Sequence, residues 1–336
     1  MMHPPPDTSQ VAGLPLEGKV LVLGLGPTGL SVVRHLLARG HEVAVTDTRA
    51  RPPGLDELQA CWPQMPLFLG GFDAGAFAAA GSLVVSPGVP LQEPLVAQAI
   101  AQGKPVLGDI ELFAREVQAL AACRTSKSDR LLVAAISGSN GKSTVTTLLA
   151  AMAEAGGRRV AVGGNLGEPA LNLLDRGAEL FILELSSFQL DTLASLRPAV
   201  AALLNISADH LDRYGSLEAY QASKSRIFRG ADQAVVNADD PEVMRLLPQD
   251  LAARIFSLAP GGRAGYGLVD DPASGICLAR DGKPLLPVSR MLIPGRHNWA
   301  NALAAWAMAE ALGIEDGAVI EALCSFTGLR HRTQLV

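Results

Sequence analysis

The sequence predicts an α/β fold in two units, each built on a mostly parallel sheet, the second carrying a small β extension. Three observations carry this expectation. Short apolar β-type runs alternate with helical patterns, which is the signature of a parallel sheet covered on both faces. Two of those runs end in glycine-rich loops that open helices. A polar segment, residues 121–130, interrupts the alternation and marks a domain boundary.

The elements follow in order. The run Lys19–Leu23 reads as a buried strand, and a helix is expected from Pro27 to Ala38, with Gly40 ending it as a left-handed cap would. Further strands are expected at Glu42–Thr46, Pro66–Leu69, Leu83–Ser86 and Pro105–Leu107. The second unit opens with a strand at Leu131–Ile136 and a helix at Gly141–Ala155. Strands at Phe181–Glu184 and Val200–Asn205, a helix at Leu217–Phe228 and a strand at Gln233–Asn237 come next. Short Gly-rich β segments follow, and an Ala-rich helix, Asn298–Leu312, closes the pattern.

A chain of 336 residues with 49% apolar and 18% charged residues supports about two ordinary domains and argues against long disordered tails. The net charge of −5 argues against nucleic acid as the main partner. Mean hydropathy is +0.24, yet no apolar run approaches the roughly 18 residues of a spanning helix, so no membrane insertion is expected. The start, Met1 to Pro6, lacks the basic and apolar regions of a secretory signal. Cys61, Cys123, Cys277 and Cys324 have no metal-ligand spacing, so reduced, mostly buried thiols in the cytoplasm are expected. A monomer is the default expectation.

Two loops carry chemistry. Gly138-Ser139-Asn140-Gly141-Lys142-Ser143-Thr144 follows a strand and opens a helix. Its glycines let backbone N–H groups converge on phosphate oxygens, and the helix N-terminus adds partial positive charge. Lys142 is expected at the β/γ-phosphates of ATP and the Ser143 hydroxyl on Mg2+. The strict pattern wants glycine at 136, where Ile136 stands, and a Gly/Ser turn capping a helix is the plainer alternative. The other loop, Gly24-Leu25-Gly26-Pro27-Thr28-Gly29, fits the dinucleotide fingerprint, with Asp47 about 20 residues on. It suits NAD, a UDP-linked substrate or an empty glycine turn.

Ser139-Asn140-Gly141-Lys142-Ser143-Thr144 resembles the phosphate loop of the Mur ligases. Further stretches fall in the order of that family: Gly163–Gly167, Glu184–Leu190, Asn205–Tyr214, Tyr220–Lys224, Val236–Asp240, Gly295–Asn298 and Gly328–Arg332. Asp47-Thr48-Arg49 and Ser86-Pro87-Gly88 match as well, so the resemblance runs from about residue 18 to the end. It implies a Rossmann-like UDP-substrate domain over 18–122 after a flexible leader at 1–17, and a central ATP-binding domain over 123–332.

The resemblance implies an ATP-dependent ligase that adds D-glutamate to UDP-N-acetylmuramoyl-L-alanine in peptidoglycan precursor synthesis, through an acyl phosphate. Pro27 and Thr28 are implied at the diphosphate, and Asp47, Thr48 and Arg49 at the uridine end, with Ser86 and Gly88 also in that site. Asn165, Ser186 and Gln189 are implied at the acyl end, although Ser186 and Gln189 could equally cap the turn after Glu184. Asn298 and Asn301 are implied beside adenine, and Arg332 near the phosphates. One Mg2+ would sit on Ser143 and Glu184 and a second near His210.

A lysine matching Lys224 is carbamylated by CO2 in this family, which turns a cation into a metal-binding anion. A free ammonium would instead repel Mg2+ by roughly 4 kcal/mol per unit charge pair at 4 Å and intermediate dielectric. Asp209, Asp212 and Arg213 could equally form a structural charge cluster. The chain ends at Val336, where the family continues, so the first two of three domains are expected, with 333–336 beginning a linker. Gln334 and Arg330 depart from the family's usual glutamate and proline. The rival readings are a fragment that binds precursor and ATP without turnover, and an NAD-dependent oxidoreductase that leaves Lys142, Glu184, His210 and Lys224 unexplained.

Overall fold

The computed structural model describes residue 6 and residues 12–123, 131–259 and 265–329. The first unit alternates β1 (Val20–Leu23), α1 (Pro27–Ala38), β2 (Val43–Asp47), α2 (Leu55–Cys61), β3 (Leu67–Leu69), α3 (Ala74–Ala79), β4 (Ser82–Val85), α4 (Pro94–Ala101), β5 (Val106–Leu107) and α5 (Asp109–Ala122). Its sheet has the order β3-β2-β1-β4-β5, all parallel. The chain runs outward from β1 in one direction through β2 and β3, then crosses to β4 on the other side. That reversal leaves a crevice beyond the carboxyl ends of β1 and β4.

The second unit begins with β6 (Leu132–Ser137), α6 (Lys142–Ala155), β7 (Val160–Gly164), β8 (Leu180–Glu184), α7 (Ser187–Asp191) and β9 (Val200–Leu203). It continues through α8 (Leu211–Tyr214), α9 (Leu217–Ser225), β10 (Ala234–Asn237), α10 (Pro241–Leu246) and β11 (Ala253–Phe256). Then come β12 (Tyr266–Asp271), β13 (Gly275–Arg280), β14 (Lys283–Pro287), α11 (Arg296–Ala311) and α12 (Asp316–Ser325). The sheet order is β14-β13-β12-β11-β10-β9-β6-β8-β7. The strands from β7 through β12 pair in parallel, and β13 and β14 add antiparallel, as the expected small extension. β6 lies between β8 and β9, so the phosphate loop leaves a second switch point.

Most expected elements lie within a residue or two of their observed bounds. The helix expected over Leu217–Phe228 is α9 followed by a 3-10 turn, Arg226–Phe228. β7 went unread because two of its five residues are glycine. α12 follows the helix that was expected to close the pattern. The expectation of mostly buried thiols is corrected: Cys277 is buried, but Cys61 and Cys123 are exposed, at the C-terminal ends of α2 and α5. All four are free. No helix among the described residues is long and apolar enough to cross a membrane.

The two units share one apolar core. Val20, Leu36 and Phe113 of the first belong to the same buried cluster as Phe181, Leu190 and Leu203 of the second. The Phe113 and Phe181 rings meet edge to face, 5.2 Å apart. Glu111 on α5 is fully buried at this seam. Its carboxylate accepts from the backbone N–H groups of Ala194 and Ser195 at 2.9 Å and from Ser195 Oγ at 2.8 Å. Arg115, one turn on, neutralises it through Nε at 2.9 Å. A second apolar cluster fills the space between the larger sheet and helices α6, α11 and α12, around the buried Trp306.

Candidate functional site

The first crevice opens into a cavity of about 530 Å³. Gly24, Gly26, Pro27 and Thr28 line it after β1, Asp47, Thr48 and Arg49 after β2, and Ser86, Pro87 and Gly88 after β4. The glycines are sterically required where α1 starts. A Cβ on Gly29 would lie 1.9 Å from the Gly24 carbonyl oxygen, and Gly24 has φ +90°. Asp47 is committed within the protein. Its Oδ2 accepts from Leu25 N–H at 2.7 Å and from Arg49 Nη2 at 2.7 Å, while Oδ1 accepts from Arg49 Nε at 2.9 Å. Burial opposes its ionisation, but the Arg49 fork and the Leu25 amide outweigh it and hold the carboxyl below its usual range. The second unit closes the cavity with Gly164, Asn165, Gly167, Pro169 and Gln189.

The phosphate loop bends at Gly138 (φ +155°) and Gly141 (φ +82°). This explains the departure at Ile136, which is a core residue inside β6 whose carbonyl accepts from Leu185 N–H. The left-handed turn falls later in the loop, so no glycine is needed at that position. Lys142 folds back, its Nζ donating to the carbonyls of Gly138 at 2.8 Å and Ser139 at 2.9 Å. Asn205 brackets the loop from the side. Its Oδ1 accepts from Asn140 N–H at 2.8 Å and its Nδ2 donates to Asn140 O at 3.0 Å.

Glu184 joins the two centres. Its Oε2 accepts from Ser143 Oγ at 2.8 Å, and its Oε1 accepts from Asn165 Nδ2 at 2.8 Å. Asn165 lines the first cavity, so a single carboxylate links that cavity to the phosphate loop. Lys224, on α9, is almost wholly buried behind the loop. It donates to Ser137 Oγ at 3.1 Å and Gly138 O at 3.0 Å. Burial, reinforced by the Lys142 charge, pushes its pKa down to about 7 despite Asp209, Glu184 and Asp191 nearby. His210 is the N-cap of α8 in a left-handed conformation, φ +52°, and its side chain is about half exposed. Its ring lies 6.4 Å from that of Tyr220, whose hydroxyl is 3.2 Å from Ser139 Oγ. Among the described residues no three His, Cys, Asp or Glu side chains cluster as a metal centre. Ser143 and Glu184 place a hydroxyl and a carboxylate together beside the loop.

Ser186 is placed differently from the other residues assigned to the precursor. It does not line the cavity; its hydroxyl caps α7 by accepting from Gln189 N–H at 3.2 Å. Gln189 does both, lining the cavity and completing the capping box through Oε1, which accepts from Ser186 N–H at 3.1 Å. Its Nε2 donates to Asp109 Oδ2 across the seam at 3.2 Å.

A second cavity of about 370 Å³ lies on the far side of the loop. Asn140, Gly141, Thr144, Asn298 and Asn301 line it, together with Asn205, Asn237, Phe256 and His297. The last four had no assigned role in the sequence. Each lies at or just beyond a strand or helix terminus facing the loop, and three stand inside stretches already singled out as motifs. Arg332 lies outside the described residues.

Two α/β units, one on a parallel sheet and one on a mostly parallel sheet, that meet at a phosphate loop and share an adjoining cavity define a P-loop nucleotide-binding protein. The Mur ligase middle domain matches residues 136–309, and the Mur ligase MurD-like N-terminal domain matches residues 18–108. The chain belongs to the Mur ligase family. It is 48% identical over 324 residues to the UDP-N-acetylmuramoylalanine–D-glutamate ligase of Methylococcus capsulatus, covering 96% of this chain and 68% of that protein. It is 49% identical over 325 residues to the enzyme of the same name from Nitrosococcus oceani, covering 95% of this chain and 69% of that one. Among solved structures, UDP-N-acetylmuramate-alanine ligase from Thermotoga maritima shares the fold at 21% identity and a TM-score of 0.55, covering 95% of this chain and 70% of that one.

Proposed function

We propose that this chain seats UDP-N-acetylmuramoyl-L-alanine in the first cavity and ATP on the phosphate loop, as part of a ligase that adds D-glutamate to that precursor. The observation that carries the reading is the Ser143–Glu184–Asn165 chain, in which one carboxylate links the first cavity to the phosphate loop. Kinship at nearly half identity to D-glutamate ligases supports the choice of substrates. In the reaction the L-alanyl carboxylate takes the γ-phosphoryl group of ATP, and the amine of D-glutamate then displaces phosphate from the acyl carbon.

Phosphoryl transfer of this kind depends on positioning and charge stabilisation. Lys142 and the N-terminus of α6 are suited to hold the anionic oxygens. Ser143 Oγ and the Glu184 carboxylate are hard oxygen donors at the loop and fit Mg2+, which neutralises phosphate charge when bound. A second Mg2+ belongs, on this reading, near His210 and a CO2-derived carbamate on Lys224. The buried, weakly basic Lys224 amine fits that modification. Asn165 orients the acyl end, and Asn298 and Asn301 flank adenine. Pro27, Thr28, Thr48, Arg49, Ser86 and Gly88 receive the UDP portion. The prior engagement of Asp47 by Arg49 and Leu25 weighs against NAD, whose ribose needs a free carboxylate there.

Isothermal titration of the chain with the precursor, with UDP and with NAD tests the reading. Tighter binding of the precursor than of UDP, with no heat from NAD, is expected. NAD binding with no response to either uridine compound would overturn it.

A further inference from the structure

The stretch between His210 and Tyr214 contains a cation that reaches away from the phosphate loop. Arg213, on α8, donates from Nη1 to Pro87 O at 2.8 Å and from Nη2 to Val89 O at 2.9 Å. Both carbonyls belong to the loop after β4 whose residues line the first cavity. The contact is reciprocated, because Gln92 Nε2 donates to Arg213 O at 2.7 Å. The guanidinium also lies over the Phe188 ring, 3.8 Å from its centroid. That ring is 4.8 Å from the ring of His210. One planar cation therefore ties together the cavity loop, α7 and the helix capped by His210.

The other end of this assembly rests on the phosphate loop. The Tyr214 ring meets the Tyr220 ring 5.5 Å away, and the Tyr220 hydroxyl contacts Ser139. Arginine stays charged through the working pH range, and its fork can hold two carbonyls at a fixed separation. A lysine there would reach one carbonyl and lose the stacking plane.

We propose that Arg213 is a positioning residue that couples the precursor cavity to the nucleotide site, so that occupancy of one raises affinity for the other. This rests on the functional reading above. Coupling between sites is reciprocal and is measured as a ratio of affinities. It needs a physical element biased by both ligands. Here that element is α8 with the residue 86–89 loop bound to its arginine.

The test is precursor titration into the full chain, with and without saturating Mg2+ and a non-hydrolysable ATP analogue. The wild-type chain is expected to bind precursor at least several-fold more tightly with nucleotide present. Arg213→Met keeps an unbranched apolar side chain but loses the guanidinium over Phe188 and both hydrogen bonds. It is expected to bring the ratio of affinities close to one, with nucleotide affinity in the absence of precursor unchanged. Arg213→Lys, a milder change that guards against misfolding, should give an intermediate ratio. A merely structural arginine would lower the melting temperature and leave the ratio intact. A wild-type ratio in either folded variant, or a ratio of one in the wild type, overturns the proposal. Failure of the wild-type chain to bind precursor at all would instead overturn the functional reading on which it rests.

Discussion

Two buried ionisable side chains set opposite pH dependences. Lys224 is held down to about 7 by burial and by Lys142, so its neutral amine gains population as pH rises through that value. The neutral amine is the form that attacks CO2. A carbamate resonance in 13C NMR is expected after addition of labelled bicarbonate, growing between about pH 6 and 8, and absent in Lys224→Arg. No such resonance at any pH would remove the carbamate from the reaction scheme. Asp109 behaves in the reverse sense. Burial raises it from its ordinary 3.8 to about 6, and the Gln189 hydrogen bond offsets this only in part. Among the described residues its Oδ1 is buried without a hydrogen-bond partner. The folded state therefore holds the proton more tightly than the unfolded chain. The contribution to stability is full below the unfolded value and is lost as pH rises through about 6. Asp109→Asn should remove a slope of up to about 3 kcal/mol between pH 4 and 7, read by urea unfolding; an unchanged slope would assign it to other groups.

At the scale of elements, the phosphate loop makes a sharp prediction. Gly141 has φ +82°, and a Cβ there would lie 2.5 Å from Asn301 Oδ1. Alanine at a left-handed position costs about 1–2 kcal/mol before any clash. Gly141→Ala should therefore weaken Mg-ATP binding at least tenfold by titration calorimetry, and wild-type affinity would mean that the loop does not need this shape. The loop was legible from sequence because its glycines, lysine and following helix are contiguous. So was the first glycine loop, although its occupant was not, because a tight turn and a diphosphate seat look alike for NAD and UDP. The second cavity was half legible. Asn237, Phe256 and Asn205 converge on it from three different strand ends, and no spacing rule records that convergence. Arg213 sat inside a recognised stretch but carried no assignment, since its partners lie more than a hundred residues away. The exposure of Cys61 and Cys123 was misread because thiols favour interiors on average, while these two sit at the C-terminal ends of α2 and α5.

The whole molecule is fused at its seam. Phe113 and Phe181 belong to one core, and among the described residues Glu111 is satisfied by groups of the second unit and by Arg115, so one of the first unit's two apolar clusters is completed by the second unit while the other lies wholly within the first. Calorimetry should show a single unfolding transition for both units. Glu111→Ala would leave the part-buried N–H groups of Ala194 and Ser195 and the Arg115 guanidinium without this carboxylate. It should cost about 3–5 kcal/mol and lower the one transition rather than split it. Two separate transitions in the wild-type chain would contradict a shared core.

The larger sheet ends, among the described residues, at β14, whose sequence is Lys283-Pro284-Leu285-Leu286-Pro287. Two of its five residues have no amide hydrogen to offer. A chain arriving from solvent would find an interrupted ladder where a complete strand would present a template. At this edge, though not at the opposite edge formed by β7, the sheet thus carries an interruption against addition of a neighbour's strand. Replacing both prolines with threonine would restore two amide donors to this edge strand, and with them a more continuous template for strand addition.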